Sequence, residues 1–93
     1  MTWEVRQSRR FARAYKRLHI RQAADVDAAV AAVADDPQRG ERKKGDLAEL
    51  WVYKFHSQGQ LFLLGYTQEQ HLRLISLEAI GPHENFYRDL KRN

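Results

Sequence analysis

The segment GPHENFYRDL, residues 81–90, carries the side chains of this sequence that could most readily do chemistry. His83 and Tyr87 are four residues apart, so a helix would present both on one face. Phe86 and Leu90 fall on the same face and would bury against a core. Histidine titrates near neutral pH and can serve as a general acid or base. Two interpretations follow: an amphipathic helix that closes a core, or a helix that presents an imidazole and a phenol at a site.

Length and composition limit what surrounds this segment. At 93 residues the chain forms one domain, 1–93, with one modest core, and 43% hydrophobic with 30% charged residues is typical of a globular protein. The formal net charge of +4 predicts an anionic partner such as RNA, DNA or an acidic protein segment, or serves solubility alone. The absence of cysteine excludes disulfides and thiolate metal sites and fits a reducing cytoplasm. No apolar run approaches the roughly 20 residues that cross a bilayer, so we expect a soluble, cytoplasmic protein with no membrane partner.

The N-terminal half predicts a strand followed by two helices. Residues 2–6, TWEVR, mix β-branched and aromatic residues with charges, as short strands do. Ser8 can cap a helix in which apolar residues recur at helical spacing. A second helix is predicted at 22–36, QAADVDAAVAAVADD, and Pro37 ends it. Helices joined by so short a break should pack as an antiparallel hairpin.

The C-terminal half predicts a loop, three strands and a helix. DPQRGERKKGD, residues 36–46, is polar and contains two glycines, and we interpret it as a loop. LAELWVYKF, QLFLLGYT and HLRLISLEA are β-prone runs separated by turn residues, which predicts an antiparallel meander. QLFLLGY is apolar on both alternations and should be the central strand. Gly81 and Pro82 then open the last helix, with the proline at its first position.

The predicted order is βααβββα, an α+β fold in which a helical hairpin packs on a small antiparallel sheet and a helix ends the chain. This order and several segments resemble the RelE/ParE superfamily, the toxins of bacterial type II toxin–antitoxin modules. The segments are KKGDLAELWVYKF, the hairpin turn SQGQ, the strand LRLISLEA and the ending HENFYRDLKR. The ending is the most specific, because many members carry a histidine, an aromatic residue and a tyrosine there.

The resemblance implies one of two activities. RelE-like members enter the ribosomal A site and cut mRNA, whereas ParE-like members share the fold and poison DNA gyrase. In RNA cleavage of this kind a base takes the proton of a ribose 2′-OH, cations stabilise the charge on the phosphate, and an acid protonates the leaving 5′-oxygen. Such a reaction requires no metal and no small-molecule cofactor.

The resemblance also assigns residues of this sequence to those roles. Lys54 and Tyr87 stand where RelE-like toxins often carry a lysine on the sheet and a tyrosine. Arg73 lies on a neighbouring predicted strand and could approach the same face. Glu49 is an alternative base. The predicted catalytic residues are His83, Tyr87, Lys54 and Arg73, and the residues predicted to contact the RNA backbone are Arg42, Lys43, Lys44 and Arg88.

Two departures from the RelE-like pattern favour the other activity. RelE-like nucleases usually carry an arginine just after the hairpin glycine, in a pattern such as GxRLxY, but Gly59 is followed by QLFLLGY. LEAIGP, before the last helix, lacks the basic residues expected there. Each candidate also has a structural alternative: Lys54 as a surface lysine, Arg73 paired with an acid across the sheet, and Tyr87 as a core aromatic. The other histidines, His19, His56 and His71, lie at element ends and turns without metal-ligand spacing, and we interpret them as surface residues.

We therefore expect the toxin of a type II toxin–antitoxin module that acts as a ribosome-dependent mRNA endoribonuclease, with the ribosome and mRNA as partners. One alternative is a ParE-type inhibitor of DNA gyrase without catalytic activity, and another is a related domain that is not toxic or a toxin with a different target. For the nuclease and for the gyrase inhibitor alike we expect a cognate antitoxin, one segment of which wraps the helical hairpin or the sheet edge and covers the active surface.

Overall fold

The computed structural model describes residues 3–45 and 49–91. Within these residues the elements are β1 Glu4–Gln7, α1 Arg9–Lys16, α2 Ile20–Asp35, β2 Glu41–Arg42, β3 Trp51–Ser57, β4 Gln60–Glu69, β5 Leu74–Pro82 and α3 His83–Lys91. The strands form one five-stranded sheet in the order β1-β5-β4-β3-β2. None of the helices in this part of the chain is long and apolar enough to span a bilayer.

The predicted α+β fold is confirmed, and QLFLLGY lies in β4, the central strand. β3, β4 and β5 form the predicted antiparallel meander, in which Lys54 lies opposite Leu63 and Leu63 lies opposite Gly81. The turn between β3 and β4 has Gln58 at φ 54° and Gly59 at φ 78°. Two consecutive left-handed residues are what a two-residue hairpin requires, so this turn sets the β3–β4 register.

One edge of the sheet differs from the prediction. β1 pairs with β5 in parallel, with Glu4 opposite Leu74 and Gln7 opposite Leu77, so the sheet is mixed. The chain leaves β1, crosses one face of the sheet through α1 and α2, and passes through β3 and β4 before β5 returns beside β1. Local patterns identify a strand, but they do not identify a partner at the other end of the chain.

The segment 36–46, predicted as a loop, contains a 3-10 turn at Pro37–Arg39 and the short strand β2 in its described part. Tyr66 orders this segment. Its hydroxyl donates to the Pro37 carbonyl at 2.6 Å and accepts from the Gly40 N–H at 3.0 Å. Tyr66 is fully buried, and a Cβ at Gly40 would collide with its hydroxyl. A tertiary contact, rather than local β propensity, therefore gives this polar stretch its structure.

Ser8 begins α1 as predicted and also ties the helix to β5. Its Oγ accepts a hydrogen bond from the Phe11 N–H at 3.1 Å and donates one to the Glu78 carbonyl at 3.0 Å. The cap satisfies one of the backbone donors that a helix start leaves unpaired. α1 lies along β5 and α2 along β3, and the Tyr15 hydroxyl donates to Asp27 Oδ1 across the two helices at 2.6 Å.

Two apolar clusters lie on opposite faces of the sheet. The larger cluster, beneath α1 and α2, contains Phe62 and Tyr66 of β4. The smaller cluster lies beneath α3 and consists of Leu50, Val52, Leu63, Ala79 and Phe86. Because β4 supplies alternate side chains to both clusters, its sequence is apolar on both alternations.

α3 begins at His83, and the prediction that Pro82 is its first residue is wrong. Pro82 is the last residue of β5, where it lies opposite Phe62. The fixed φ of proline suits the end of a strand as well as the start of a helix, so the sequence did not distinguish the two. Phe86 then packs on Gly65, where an added Cβ would lie 2.8 Å from the Phe86 ring. Gly65 thus permits the close approach of α3 to the sheet.

Candidate active surface

Strand alternation assigns the side chains of β3 to the two faces of the sheet. Ser57 faces the helical hairpin, since its Oγ donates to Asp25 Oδ2 of α2 at 2.7 Å. Val52 faces the other way and is buried in the cluster beneath α3. Because successive side chains of a strand point to opposite faces, Lys54 and His56 project on the side of Val52. We call this side of the sheet the α3 face.

α3 covers only part of this face. It packs on β4 and β5, and it leaves Lys54 and His56 of β3 exposed. At the end of β5, a Cβ added to Gly81 would meet no atom within 4 Å. The α3 face is therefore open to solvent above β3 and beside the start of α3.

Glu41, Lys43 and Tyr87 form a polar cluster beside α3. Lys43 Nζ lies 3.0 Å from Glu41 Oε1 and 5.6 Å from the centroid of the Tyr87 ring. Hydrogen bonding with Tyr87, and then with Glu41, raises the pKa of Lys43 above its usual value. Lys43 therefore stays protonated at neutral pH, with its ammonium held against a phenol.

Lys54 belongs to the same electrostatic environment. The hydrogen bond with Lys43 lowers the pKa of Glu41, and the charges of Lys43 and Lys54 add to that effect. An open groove of about 320 Å³ is lined by Glu41, Val52 and Lys54. Two lysines thus flank one exposed carboxylate, and a bound phosphate could replace that carboxylate as the partner of both.

His83 is exposed in the first turn of α3 and lines a groove of about 220 Å³ together with Leu61 and Pro82. Leu61 projects on the α3 face, because the next residue, Phe62, packs in the cluster beneath the hairpin. In the β3–β4 register, Leu61 lies opposite His56. Two histidines therefore border the same apolar side chain.

His56 is the residue of this surface to which the sequence interpretation assigns no role. Its position near the turn suggests an ordinary surface histidine, and it is indeed exposed. The signal that could have found it is alternation: His56 is two residues after Lys54, and a strand through both residues places them on one face. That signal has meaning only once Lys54 is known to face an open site.

Arg73 does not reach this surface, and its predicted placement on a strand beside Lys54 is wrong. It follows a 3-10 turn, with φ 52°, and its guanidinium lies 5.3 Å from the centroid of the Trp3 ring. Lys54 pairs with β4 at Leu63, whereas β4 ends at Glu69, just before this turn. The six residue-to-residue steps from Leu63 to Glu69 span about 20 Å of strand. The left-handed turn thus directs Arg73 onto Trp3 at the far end of the sheet.

The remaining predicted residues are dispersed. Arg42 pairs in register with Trp51, whose ring packs against the cluster beneath the hairpin, so Arg42 projects away from the α3 face. Arg88 is exposed on α3 and hydrogen-bonds a neighbouring asparagine at 2.7 Å. Lys44 and Glu49 are exposed on either side of residues 46–48, which lie outside the described part of the chain.

The α3 face therefore brings together four predicted residues, Lys43, Lys54, His83 and Tyr87, and adds His56. These side chains are two cations, two imidazoles and a phenol, which can stabilise negative charge and transfer protons. Among residues 3–45 and 49–91, no group of three or more histidine, aspartate or glutamate side chains is placed to hold a metal ion. The surface is suited to acid–base chemistry on an anionic substrate.

A basic groove of about 330 Å³ lies between α1 and α3. Arg10, Arg13 and Arg17 of α1 line it, and its floor is the end of β5. β1 pairs with β5 only as far as Leu77, so within residues 3–45 and 49–91 this end of the strand has no neighbouring strand on that side. Arg10 donates to the Leu90 carbonyl at 3.2 Å and so connects α1 to α3. This groove adjoins the α3 face at Gly81, on the side of α3 away from β3.

The fold defined by these elements is that of RelE-type toxins. A chain of the toxin–antitoxin complex RelBE2 from Mycobacterium tuberculosis superposes with a TM-score of 0.78 at 18% identity, over 89% of this chain and 93% of that chain. A mutant of Escherichia coli RelE in the free state gives a TM-score of 0.75 at 13% identity, over 97% and 90%. The archaeal RelE–RelB complex from Pyrococcus horikoshii gives 0.63 at 14% identity, over 88% and 96%. At these identities the likeness establishes the fold.

The sequence establishes the family. Residues 5–91 match the profile of the ParE-like toxins of type II bacterial toxin–antitoxin systems. No curated protein sequence matches the chain significantly. This protein therefore belongs to the ParE-like toxin family, within the RelE/ParE superfamily.

Proposed function

We propose that this toxin cuts mRNA in the ribosome. Both activities of the superfamily use one fold, so the choice between them rests on side chains. The observation that carries the proposal is the α3 face, where Lys54 and the Lys43–Tyr87 pair lie on the same open side of the sheet as His83.

In the proposed reaction the ribose 2′-oxygen attacks the adjacent phosphorus, and the bond from phosphorus to the 5′-oxygen breaks. His83 exchanges a proton with one of these two oxygens. Lys54 and Lys43 stabilise the charge that gathers on the non-bridging oxygens. Lys43 suits this role because its ammonium is held in place by Tyr87 and Glu41, and the same hydrogen bonds raise its pKa. The products are a 2′,3′-cyclic phosphate and a 5′-hydroxyl.

Tyr87 acts as a positioning residue in this scheme. Its ring packs against the cluster beneath α3, and its face and hydroxyl hold Lys43. Lys43, which the sequence interpretation places among residues that touch the RNA backbone, thereby becomes a member of the site. Loss of the Tyr87 side chain should release Lys43 toward Glu41 and weaken its contact with the phosphate.

The proposed partners are the ribosome with its mRNA, and a cognate antitoxin. Structural relatives of this chain come from RelB–RelE complexes, which supports an antitoxin partner. The basic groove between α1 and α3 offers an acidic segment three arginines and the uncovered end of β5. An antitoxin segment bound there would contact both the hairpin and the sheet edge.

The test is to add purified toxin to ribosomes programmed with a defined mRNA and to map the mRNA ends. Wild-type protein should cut, and His83→Ala should cut about 10² to 10⁴ times more slowly, the range of acid–base contributions. Tyr87→Ala should also cut more slowly, because Lys43 loses the ring that holds it. His71→Ala is the matched control, because His71 is exposed in the turn beside Glu69, at the far end of β4. Undiminished cutting by folded His83→Ala would remove this imidazole from the mechanism. Intact mRNA with wild-type protein would reject the nuclease.

Inhibition of DNA gyrase is the alternative, and one structural observation favours it. Leu61 places an apolar side chain at the start of β4 on the α3 face, where the RelE-like sequence pattern has a cation. Apolar groups at the centre of a surface are typical of protein–protein contacts. The description of the family as ParE-like agrees with this alternative. Blocked gyrase supercoiling by purified protein that leaves mRNA intact would select it.

A further inference from the structure

We propose that His56 is a second catalytic residue and that His56 and His83 form an acid–base pair at one phosphodiester. This inference rests on the proposed mRNA cleavage. It assigns to the site an imidazole that neither the sequence interpretation nor the family resemblance provides.

A row of three side chains crosses the α3 face. His56 of β3 lies opposite Leu61 of β4, and Leu61 shares a groove with His83 at the end of β5. Neighbouring strands are about 4.8 Å apart, so the backbones of β3 and of the end of β5, which His83 follows directly, stand about 10 Å apart with β4 between them. Both histidines are exposed.

The side on which His56 projects is determined by its two neighbours in β3. The Phe55 ring packs on Phe62, with 5.8 Å between the ring centroids, beneath the helical hairpin. Ser57 donates to Asp25 of α2 at 2.7 Å. Since both neighbours face the hairpin, His56 must project onto the α3 face.

The next row along the strands places a cation beside this pair. It consists of Lys54, Leu63 and Gly81 in register. Gly81 presents no side chain, and the space where its Cβ would stand is empty to 4 Å. A phosphate held above Leu61 would therefore have an imidazole on either side, Lys54 beside it, and no side chain opposing it from Gly81.

This arrangement meets a requirement that one histidine cannot meet. The attacking and leaving oxygens of a phosphoryl displacement lie roughly in line, on opposite sides of phosphorus. A base and an acid must therefore approach from opposite sides. One imidazole takes the 2′-OH proton as the bond from the 2′-oxygen to phosphorus forms. The other, as imidazolium, gives its proton to the 5′-oxygen as the bond from phosphorus to that oxygen breaks, and water then restores both rings.

The test measures single-turnover cleavage on programmed ribosomes as a function of pH. Wild type should give a bell-shaped profile. His56→Ala and His83→Ala should each lose about 10² to 10⁴ in rate and should each abolish one limb of the bell. An mRNA with sulfur in place of the 5′-oxygen at the cut has a leaving group that needs no proton. This mRNA should restore the cleavage rate of the variant that lacks the acid. It should not restore the cleavage rate of the other variant.

His56→Gln and His71→Ala complete the set, since glutamine keeps polarity at an exposed position and His71 lies away from the α3 face. His56→Gln should behave as His56→Ala, and His71→Ala as wild type. If the His56 variants cut at the wild-type rate and keep both limbs of the pH profile, the acid–base pair is overturned and the proposed nuclease activity stands. A slower His56 variant with both limbs retained would also overturn the pair. Absence of cutting by wild type would reject the nuclease and the pair together.

Discussion

Lys54 and Arg73 carry the same charge and were predicted to share one face, but they lie at opposite ends of the sheet. Lys54→Ala should lower the rate of mRNA cleavage by about 10²-fold, the loss typical of one group that stabilises a developing charge. Arg73→Ala should cut within about twofold of wild type, because Arg73 lies on Trp3 at the other end of the sheet from Lys54. Single-turnover rates on programmed ribosomes measure both. A loss confined to Arg73→Ala would move the site to the other end of the sheet.

Tyr66 is a buried phenol that orders the basic segment beside the site. Burial, ahead of its other causes, raises the pKa of Tyr66 from 10.0 to about 12. Folding thus favours the neutral phenol, and this stabilisation is complete below pH 10 and is lost as the pH rises to about 12. Tyr66→Phe should cost about 1–3 kcal/mol at pH 8, because Pro37 and Gly40 lose their partner.

Denaturant titration of wild type and Tyr66→Phe over a range of pH tests the sign of this shift. The difference in free energy of unfolding between the two proteins should shrink between pH 10 and pH 12. A difference that grows over that interval would mean that the folded protein favours the ionised phenol, contrary to the burial of the ring.

At the scale of elements, α3 makes one especially close contact with the sheet. Phe86 packs on Gly65, where a Cβ would lie 2.8 Å from the ring. Gly65→Ala should therefore displace α3 and destabilise the protein by about 1–3 kcal/mol, the usual cost of overpacking a core. Gly81→Ala is the matched control, because its Cβ would meet nothing within 4 Å. Denaturant unfolding gives the stabilities, and amide exchange in α3 reports the displacement.

The displacement of α3 should also lower the rate of mRNA cleavage. His83 and Tyr87 both lie on α3, whereas Lys54 lies on β3. Gly65→Ala should thus slow cleavage even under conditions in which the variant is fully folded. Equal stabilities and equal amide exchange for the Gly65 and Gly81 variants would show that the sheet tolerates a larger residue beneath Phe86.

At the scale of the whole molecule, the two sides of the sheet should contribute differently to binding of nucleic acid. A single-stranded DNA oligonucleotide lacks the 2′-OH and can bind without being cut. The logarithm of its affinity should fall linearly with the logarithm of salt concentration, by about 0.7 for each phosphate contact. The double change Lys43→Gln with Lys54→Gln should reduce the slope by about 1.4.

The control for that measurement removes the same charge elsewhere. Arg9→Gln with Arg21→Gln changes two exposed arginines of α1 and α2, on the other side of the sheet from the α3 face. It should leave the slope unchanged. An equal reduction by both double variants would mean that the net charge of +4, and not the α3 face, attracts the strand.

The amino-acid sequence by itself determined the helices, β1 and the three strands of the meander, with their order, but not β2. Local periodicity and turn chemistry predict Ser8 as a cap, the two helices, the meander with β4 at its centre, and the closing helix with Phe86 toward the sheet. These are interactions between residues a few positions apart, so a single sequence displays them. The same patterns, with the resemblance to RelE/ParE toxins, make Lys54, His83 and Tyr87 candidate site residues.

Only the tertiary structure decided which of these elements and side chains are neighbours. Contacts between distant parts of the chain decide five features. They are the pairing of β1 with β5, the ordering of the basic segment by Tyr66, the contact of Lys43 with Tyr87, the side of the sheet on which His56 projects, and the contact of Arg73 with Trp3. A one-residue change in strand register moves every side chain to the opposite face. Local sequence patterns do not determine the register between strands that are distant in the chain, whereas the packing of the sheet does.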